Sequence, residues 1–189
     1  MDYKQIYVEK LGKTTVITIN RPEVFNALQP TTHFELNKAF DDFENDSEAY
    51  VAILTGAGDK SFCAGNDLKY MASRTSEQKN NAKLEMKQIK GFGGITERFD
   101  CVKPIIAAVN GIALGGGTEI CLACDLIVAV EHAKFGIPEV TVGVNALAGG
   151  LYRLQRRIPF NKAMELALTG RHMTADEAFD VGLVNKVVP

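Results

Sequence analysis

The sequence predicts a mixed α/β fold. Short β-branched or apolar runs recur along the chain, and helical patterns lie between them. Strands that alternate with helices imply crossover connections. A third observation is Gly115-Gly116-Gly117, which joins an apolar run to a helix-like run at residues 118–124.

Residues 15–19, 51–54, 105–109 and 126–130 read as buried strands. Residues 32–43 read as a helix, with Phe34, Leu36, Ala39, Phe40 and Phe43 on one side. Thr32 with Glu35 three residues later has the pattern of a capping box. Residues 163–169 read as a helix stopped by Gly170. Residues 74–90 are polar, with sparse apolar positions, and read as a solvated helix. The Gly91-Phe92-Gly93-Gly94 stretch that follows reads as mobile. Beside a ligand site such a segment would act as a lid; otherwise it is an exposed connection.

A chain of 189 residues fits one domain spanning residues 1–189. Such a length buries about 70% of its unfolded surface and needs no disulfide staple. The net charge of -2 disfavours a nucleic-acid partner, because phosphate neutralisation needs a basic face. The first residues carry no apolar signal-peptide core, and no apolar run reaches the ~18 residues that span a bilayer. No membrane partner is expected, and a soluble cytoplasmic protein is the default. Cys63, Cys101, Cys121 and Cys124 read as reduced core residues, since no second ligand pair accompanies Cys121-x-x-Cys124. His33, His132 and His172 stand apart with no metal-ligand spacing, so no metal is expected. Asp125 reads as a turn residue, and Tyr152, Arg153, Arg156 and Arg157 as a solvated helix face.

The triple glycine leaves its backbone open to close approach, and free N–H groups at a helix start favour developing negative charge. Glu119 stands beside it as an acid/base group. A second small-residue turn contains Ala64 and Gly65. Two converging backbone donors make an oxyanion hole, where one alone holds an oxygen weakly. These are the parts for chemistry through an enolate. Read alone, each glycine turn is weak evidence, since most such turns are merely turns. Read alone, Glu119 is better taken as complementing a helix end, and Glu139 as a solvated loop acid.

Five blocks then occur in order. They are Asn20-Arg21-Pro22 with Asn26-Ala27-Leu28; Phe62-Cys63-Ala64-Gly65-Asn66-Asp67-Leu68-Lys69; Asn110-Gly111 through Gly115-Gly116-Gly117-Thr118-Glu119 to Cys124-Asp125; Phe135-Gly136-Ile137-Pro138-Glu139; and Thr169-Gly170 with Glu177-Ala178 and Gly182-Leu183-Val184. Together they resemble the crotonase, or enoyl-CoA hydratase/isomerase, superfamily over nearly the whole chain. The resemblance implies a ββα spiral core, an acyl-CoA thioester substrate and a homotrimer or hexamer. CoA would be part of the substrate, so no cofactor is implied. The oxyanion hole would use the backbone N–H groups of Asn66 and Gly116. Ala64, Gly65, Asn66, Asp67 and Leu68 would cradle CoA, with Gly115 beside them, and Asn26, Ala27 and Leu28 would line the pantetheine path. Glu119 would position water and Glu139 would carry the main proton transfer. Retention of both acids favours reversible hydration of a 2-enoyl-CoA, or dehydration of a 3-hydroxyacyl-CoA.

Two departures from the family pattern bear on substrate. Ala146-Leu147 stands where typical members carry Pro-Gly, and Leu147 adds bulk to the acyl pocket. A carnitinyl-type, cyclic or branched acyl group is therefore open. The chain also stops at Pro189, where the family's C-terminal helical segment is expected to follow. An enoyl-CoA isomerase or acyl-CoA hydrolase would use the same hole. A weakly catalytic CoA-binding or assembly subunit is the alternative of another class.

Overall fold

The computed structural model describes residues 3–75, 77–78 and 87–189. Strands β1 (Ile6–Leu11) and β2 (Thr14–Ile19) form an antiparallel hairpin closed at Gly12, whose φ of 59° suits a tight turn. β3 (Val51–Gly56), β5 (Ile105–Val109), β7 (Leu126–Val130) and β10 (Lys186–Val188) continue the sheet in parallel, in the order β1-β2-β3-β5-β7-β10. Along β2, β3 and β5 burial alternates residue by residue. Ile17, Ile19, Leu54 and Ala107 therefore line one buried face.

A second sheet holds short strands in the order β4-β6-β8-β9: β4 (Ser61–Cys63), β6 (Ile112–Leu114), β8 (Lys134–Gly136) and β9 (Met173–Thr174). Phe62, Phe135 and Ile120 are fully buried and belong to the same core as Phe40 and Leu54. All four of these strands are two or three residues long, too short to display a period of two. The four expected strands are present, and the mixed α/β class holds.

Helix α1 (Pro30–Asn45) buries Leu36, Ala39, Phe40 and Phe43. Its start differs from the expected capping box. Pro30 occupies the first turn, the helix begins before Thr32, and the Thr32 hydroxyl accepts from the N–H of Gln29 at 3.4 Å. Glu35 is left free for another task, and its carboxylate accepts the N–H groups of Lys4 and Gln5 at 2.9 and 2.8 Å. The short α2 (Leu68–Ala72) follows the Ala64–Gly65 turn, with Asp67 accepting from the N–H of Tyr70 at 3.0 Å.

The expected solvated helix and lid fall largely on residues 76 and 79–86, which lie outside the described residues. The glycine stretch after it is a packed 3-10 turn, Phe92–Gly94, with Gly93 and Gly94 buried. Arg98, whose side chain is fully buried, donates to the Gly94 carbonyl at 3.0 Å and pairs with Glu44 of α1 at 2.7 Å. This pairing corrects the expectation of mobility for that stretch.

Helices α3 (Gly116–Ala123), α4 (Gly150–Arg157), α5 (Phe160–Thr169) and α6 (Ala175–Asp180) complete the described elements. Tyr152 and Arg156 of α4 are exposed as expected, whereas Arg153 and Arg157 are half-buried. Arg153 donates to the Thr96 carbonyl at 2.7 Å, and Arg157 donates to the Cys124 carbonyl at 2.5 Å. Asp125 accepts the N–H of Ile105 at 2.7 Å, which joins the loop before β7 to the start of β5. Cys63, Cys121 and Cys124 are buried free thiols, and Cys101 is half-buried. Among the described residues no helix is long and apolar enough to cross a membrane.

Candidate active site

The two glycine turns meet. Gly65 has φ of 88°, and a side chain there would lie 3.1 Å from the backbone nitrogen of Gly116. Only glycine permits both the conformation and the approach. The meeting places Asn66 and Gly116 on the wall of one cavity of about 530 Å³.

Each of these residues presents its backbone N–H for a reason found in the preceding peptide. The carbonyl of Gly65 accepts from the N–H of Leu28 at 2.7 Å. A trans peptide points its N–H opposite to its carbonyl, so the Asn66 N–H faces away from Leu28. The carbonyl of Gly115 accepts from the N–H of Glu119 at 3.0 Å, as the first bond of α3. The Gly116 N–H therefore points outward from the helix start, where the helix dipole is positive. Neither N–H has a hydrogen-bond partner among the described residues.

Asn26, Ala27 and Leu28 stand behind this turn and off the cavity wall. Asn26 is fully buried. Its side chain accepts the N–H of Arg21 at 2.9 Å and donates to the carbonyls of Ser61 and Ala57 at 2.7 and 3.0 Å. Leu28 also accepts from the N–H of Asp67 at 2.9 Å, which completes a parallel bridge across Asn66. Asp67 pairs with Arg21 at 2.9 Å, and both side chains are largely buried. Burial opposes ionisation of that carboxyl, yet the Tyr70 N–H and Arg21 hold it below its ordinary value. Ala64, Gly65, Leu68, Gly115 and Leu147 all lie on the cavity wall, and Leu147 is 81% exposed.

The two glutamates share the cavity in different settings. Glu119 projects from the first turn of α3 and is only 3% exposed. Its Oε1 accepts from the N–H of Gly150 at the start of α4, at 2.9 Å. Burial pushes its carboxyl up to about 7; the Gly150 N–H opposes this and the charge of Glu139 adds to it. Glu139 sits on a 3-10 turn, Pro138–Val142. A side chain on Gly115 would lie 2.9 Å from its Oε1, so that glycine makes room for the carboxylate. Burial raises the Glu139 carboxyl too, and its buried Oε2 has no partner among the described residues. One carboxylate is anchored and the other keeps a free oxygen. This is the arrangement a water or a transferable proton requires.

Met71 and Val142 line the cavity and have no counterpart in the sequence reading, whereas Phe92, also on the wall, comes from the glycine stretch read as mobile. Gly150 was legible only as a glycine before arginines; a helix start next to a buried acid is the signal it carries. Among the described residues no three His, Cys, Asp or Glu side chains gather as metal ligands.

The description "Enoyl-CoA hydratase/isomerase" belongs to a family model that matches residues 9–189. A short-chain-enoyl-CoA hydratase of Clostridium acetobutylicum is 44% identical, with 100% of this chain and 70% of the relative covered. A carnitinyl-CoA dehydratase of Salmonella paratyphi A is 42% identical over 98% of this chain and 68% of the relative. A solved enoyl-CoA hydratase of Mycobacterium tuberculosis H37Rv is 45% identical, with a TM-score of 0.87, covering 97% of this chain and 69% of that one.

The setting of Glu119 makes stability depend on pH. Its ordinary pKa of 4.5 rises to about 7 in the folded chain. Below the ordinary value both states carry the proton and burial costs nothing. Between the two values the unfolded chain releases the proton while the folded chain keeps it, so stability falls as pH rises towards about 7 and levels off above it. Glu119→Gln keeps an acceptor for Gly150 without that charge. The melting temperature of Glu119→Gln relative to wild type should therefore rise between about pH 5 and pH 8. A difference that stays constant across that range would contradict the buried-acid reading.

Proposed function

The chain belongs to the enoyl-CoA hydratase/isomerase family, and from that membership we propose that it is an acyl-CoA hydro-lyase. It would catalyse reversible hydration of a 2-enoyl-CoA, or dehydration of the 3-hydroxyacyl-CoA. The names of the relatives, a short-chain-enoyl-CoA hydratase and a carnitinyl-CoA dehydratase, favour a short or carnitinyl-type acyl group. The observation that carries the reading is the pair of N–H groups, on Asn66 and Gly116, that lack a partner among the described residues and share one cavity with two carboxylates.

Conjugate addition of water places negative charge on the thioester oxygen. Two backbone donors held by their own peptide planes stabilise that enolate without reorganising, and one such donor is worth about 3–4 kcal/mol. The pair of acids then balances the protons. Hydroxide from water bonds to the β-carbon, the water's proton goes to the carboxylate pair, and the pair gives a proton to the α-carbon. The pair ends as it began. Glu139, with its free Oε2, is suited to the transfer at the α-carbon. Glu119, locked by Gly150, is suited to orienting the water. The two titrate as a coupled pair, so the proton belongs to both. Addition of water is redox-neutral, and the proposed steps use no cofactor beyond the CoA of the substrate.

The Ala64–Leu68 turn supports CoA recognition through its backbone, with Asn26, Ala27 and Leu28 bracing it from behind. We retain a homotrimer or hexamer, and a cytoplasmic setting, as parts of the same proposal. Exposed Val140, Val144, Leu151 and Leu168 line a groove beside the cavity, which supports association.

Crotonyl-CoA should lose its enone-thioester absorbance with the wild-type protein, and Glu139→Gln should lower the rate by about 10²–10⁴-fold. Binding without absorbance loss, or double-bond migration of a 3-enoyl-CoA without hydration, would overturn the hydratase reading. Light scattering should give a mass three or six times the 20.6 kDa chain; a monomeric mass would reject the oligomer.

A further inference from the structure

Arg153 lies on α4, off the cavity wall, and is half-buried. Its guanidinium bonds two backbone carbonyls from different parts of the chain. One nitrogen donates to the Thr96 carbonyl at 2.7 Å, and another donates to the Ala148 carbonyl at 3.4 Å. The rings of Tyr152 and Phe99 lie against the same guanidinium, with centroids 4.8 and 5.6 Å away. A planar fork of fixed donors spans two acceptors in this way, where a point charge does not.

Both carbonyls belong to stretches that build the cavity. Ala148 is on the wall. Thr96 braces the turn that carries Phe92 onto the wall, because its hydroxyl accepts from the N–H of Phe92 at 2.8 Å. Between Ala148 and the helix stands Gly149, with φ of 113°. A side chain there would strike the guanidinium. Glycine is therefore required twice, for the conformation and for the arginine folded back over it.

The next peptide is the one that holds Glu119. The carbonyl of Gly149 accepts from the N–H of Arg153 at 2.8 Å. A trans peptide points its N–H opposite to its carbonyl, so the Gly150 N–H faces the other way, onto Glu119 Oε1 at 2.9 Å. The backbone and the side chain of one arginine thus grip two successive peptides, and the second of them anchors the buried acid.

We propose that Arg153 is a positioning residue for Glu119: its guanidinium ties the Ala148 carbonyl to the Thr96 carbonyl, and so fixes the Gly149–Gly150 peptide whose N–H orients that carboxylate. The proposal rests on the hydratase reading above, in which Glu119 orients the water. Without the clamp the peptide and the carboxylate turn together, and the water loses the alignment that attack at the β-carbon needs. Arg153 does not reach the cavity, so its loss should lower kcat and leave KM nearly unchanged.

Arg153→Met keeps an apolar stem and removes the fork. It should lower kcat for crotonyl-CoA by about 10-fold with KM within about twofold. Arg153→Lys keeps the charge without the fork and should recover little of the loss. It also carries the comparison if Arg153→Met does not fold. In a Glu119→Gln background Arg153→Met should cost nothing further, because the clamp acts through that carboxylate. Full activity in Arg153→Lys, additive losses in the double variant, or a loss that vanishes on cooling below the melting transition would overturn the proposal.

Amide hydrogen exchange reads the clamp without substrate. The Gly150 amide should exchange about 10-fold faster in Arg153→Met than in wild type, and the amides of β3 should change far less. Acceleration at Gly150 no greater than that in β3 would also overturn the proposal. Failure of the wild type to hydrate any 2-enoyl-CoA, with the exchange result as expected, would instead remove the hydratase reading and leave the clamp standing.

Discussion

The close approach of Gly65 to the backbone nitrogen of Gly116 is the constraint on which the rest of the site depends. It brings a turn after β4 against the start of α3, and the two belong to different parts of the chain. Sheet pairing makes the approach possible, because β4 lies directly beside β6 and β6 leads into α3. Each donor then inherits its direction from a carbonyl already bonded elsewhere. A hole built this way needs no side chain to supply hydrogen bonds. Its cost is that a Cβ at Gly65 would crowd the Gly116 nitrogen, and one at Gly116 would strike Phe92.

The carboxylates follow from the same frame. Glu119 is carried by α3 itself, so its place relative to Gly116 is fixed by one helical turn. Glu139 arrives on the turn after β8, which pairs with β6 in the second sheet. The two acids differ in what they touch. Gly150 anchors one, and the other keeps an oxygen without a partner among the described residues. In the proposed mechanism these unequal surroundings would separate the role of holding water from the role of moving a proton.

Much of this was legible in the residues. Strands such as Leu126–Val130 announce themselves by continuous apolar runs, and the glycines by their clustering. The glutamate pair was legible only through family resemblance, since an acid in a helix start and an acid after proline are ordinary features. Three-residue strands carry no readable period. The helix start at Pro30 was displaced from Thr32 because a proline at the first turn outranks a Thr-x-x-Glu pattern. Arg153 and Arg157 looked solvated because their partners are backbone carbonyls that no residue pattern reveals. His33 is the clearest case. Its partner Gly93 lies 60 residues away in the chain, and only the folded molecule brings the two together.

The most direct test of the central claim is the carbonyl stretch of butyryl-CoA, labelled with ¹³C at the thioester carbon and bound to the protein. Butyryl-CoA has no double bond to hydrate, so the bound state persists. The account predicts a shift to lower frequency on binding, retained in both Glu119→Gln and Glu139→Gln, because the donors are backbone groups. A bound thioester whose carbonyl frequency matches that in water, or whose shift disappears with either glutamate, would contradict it.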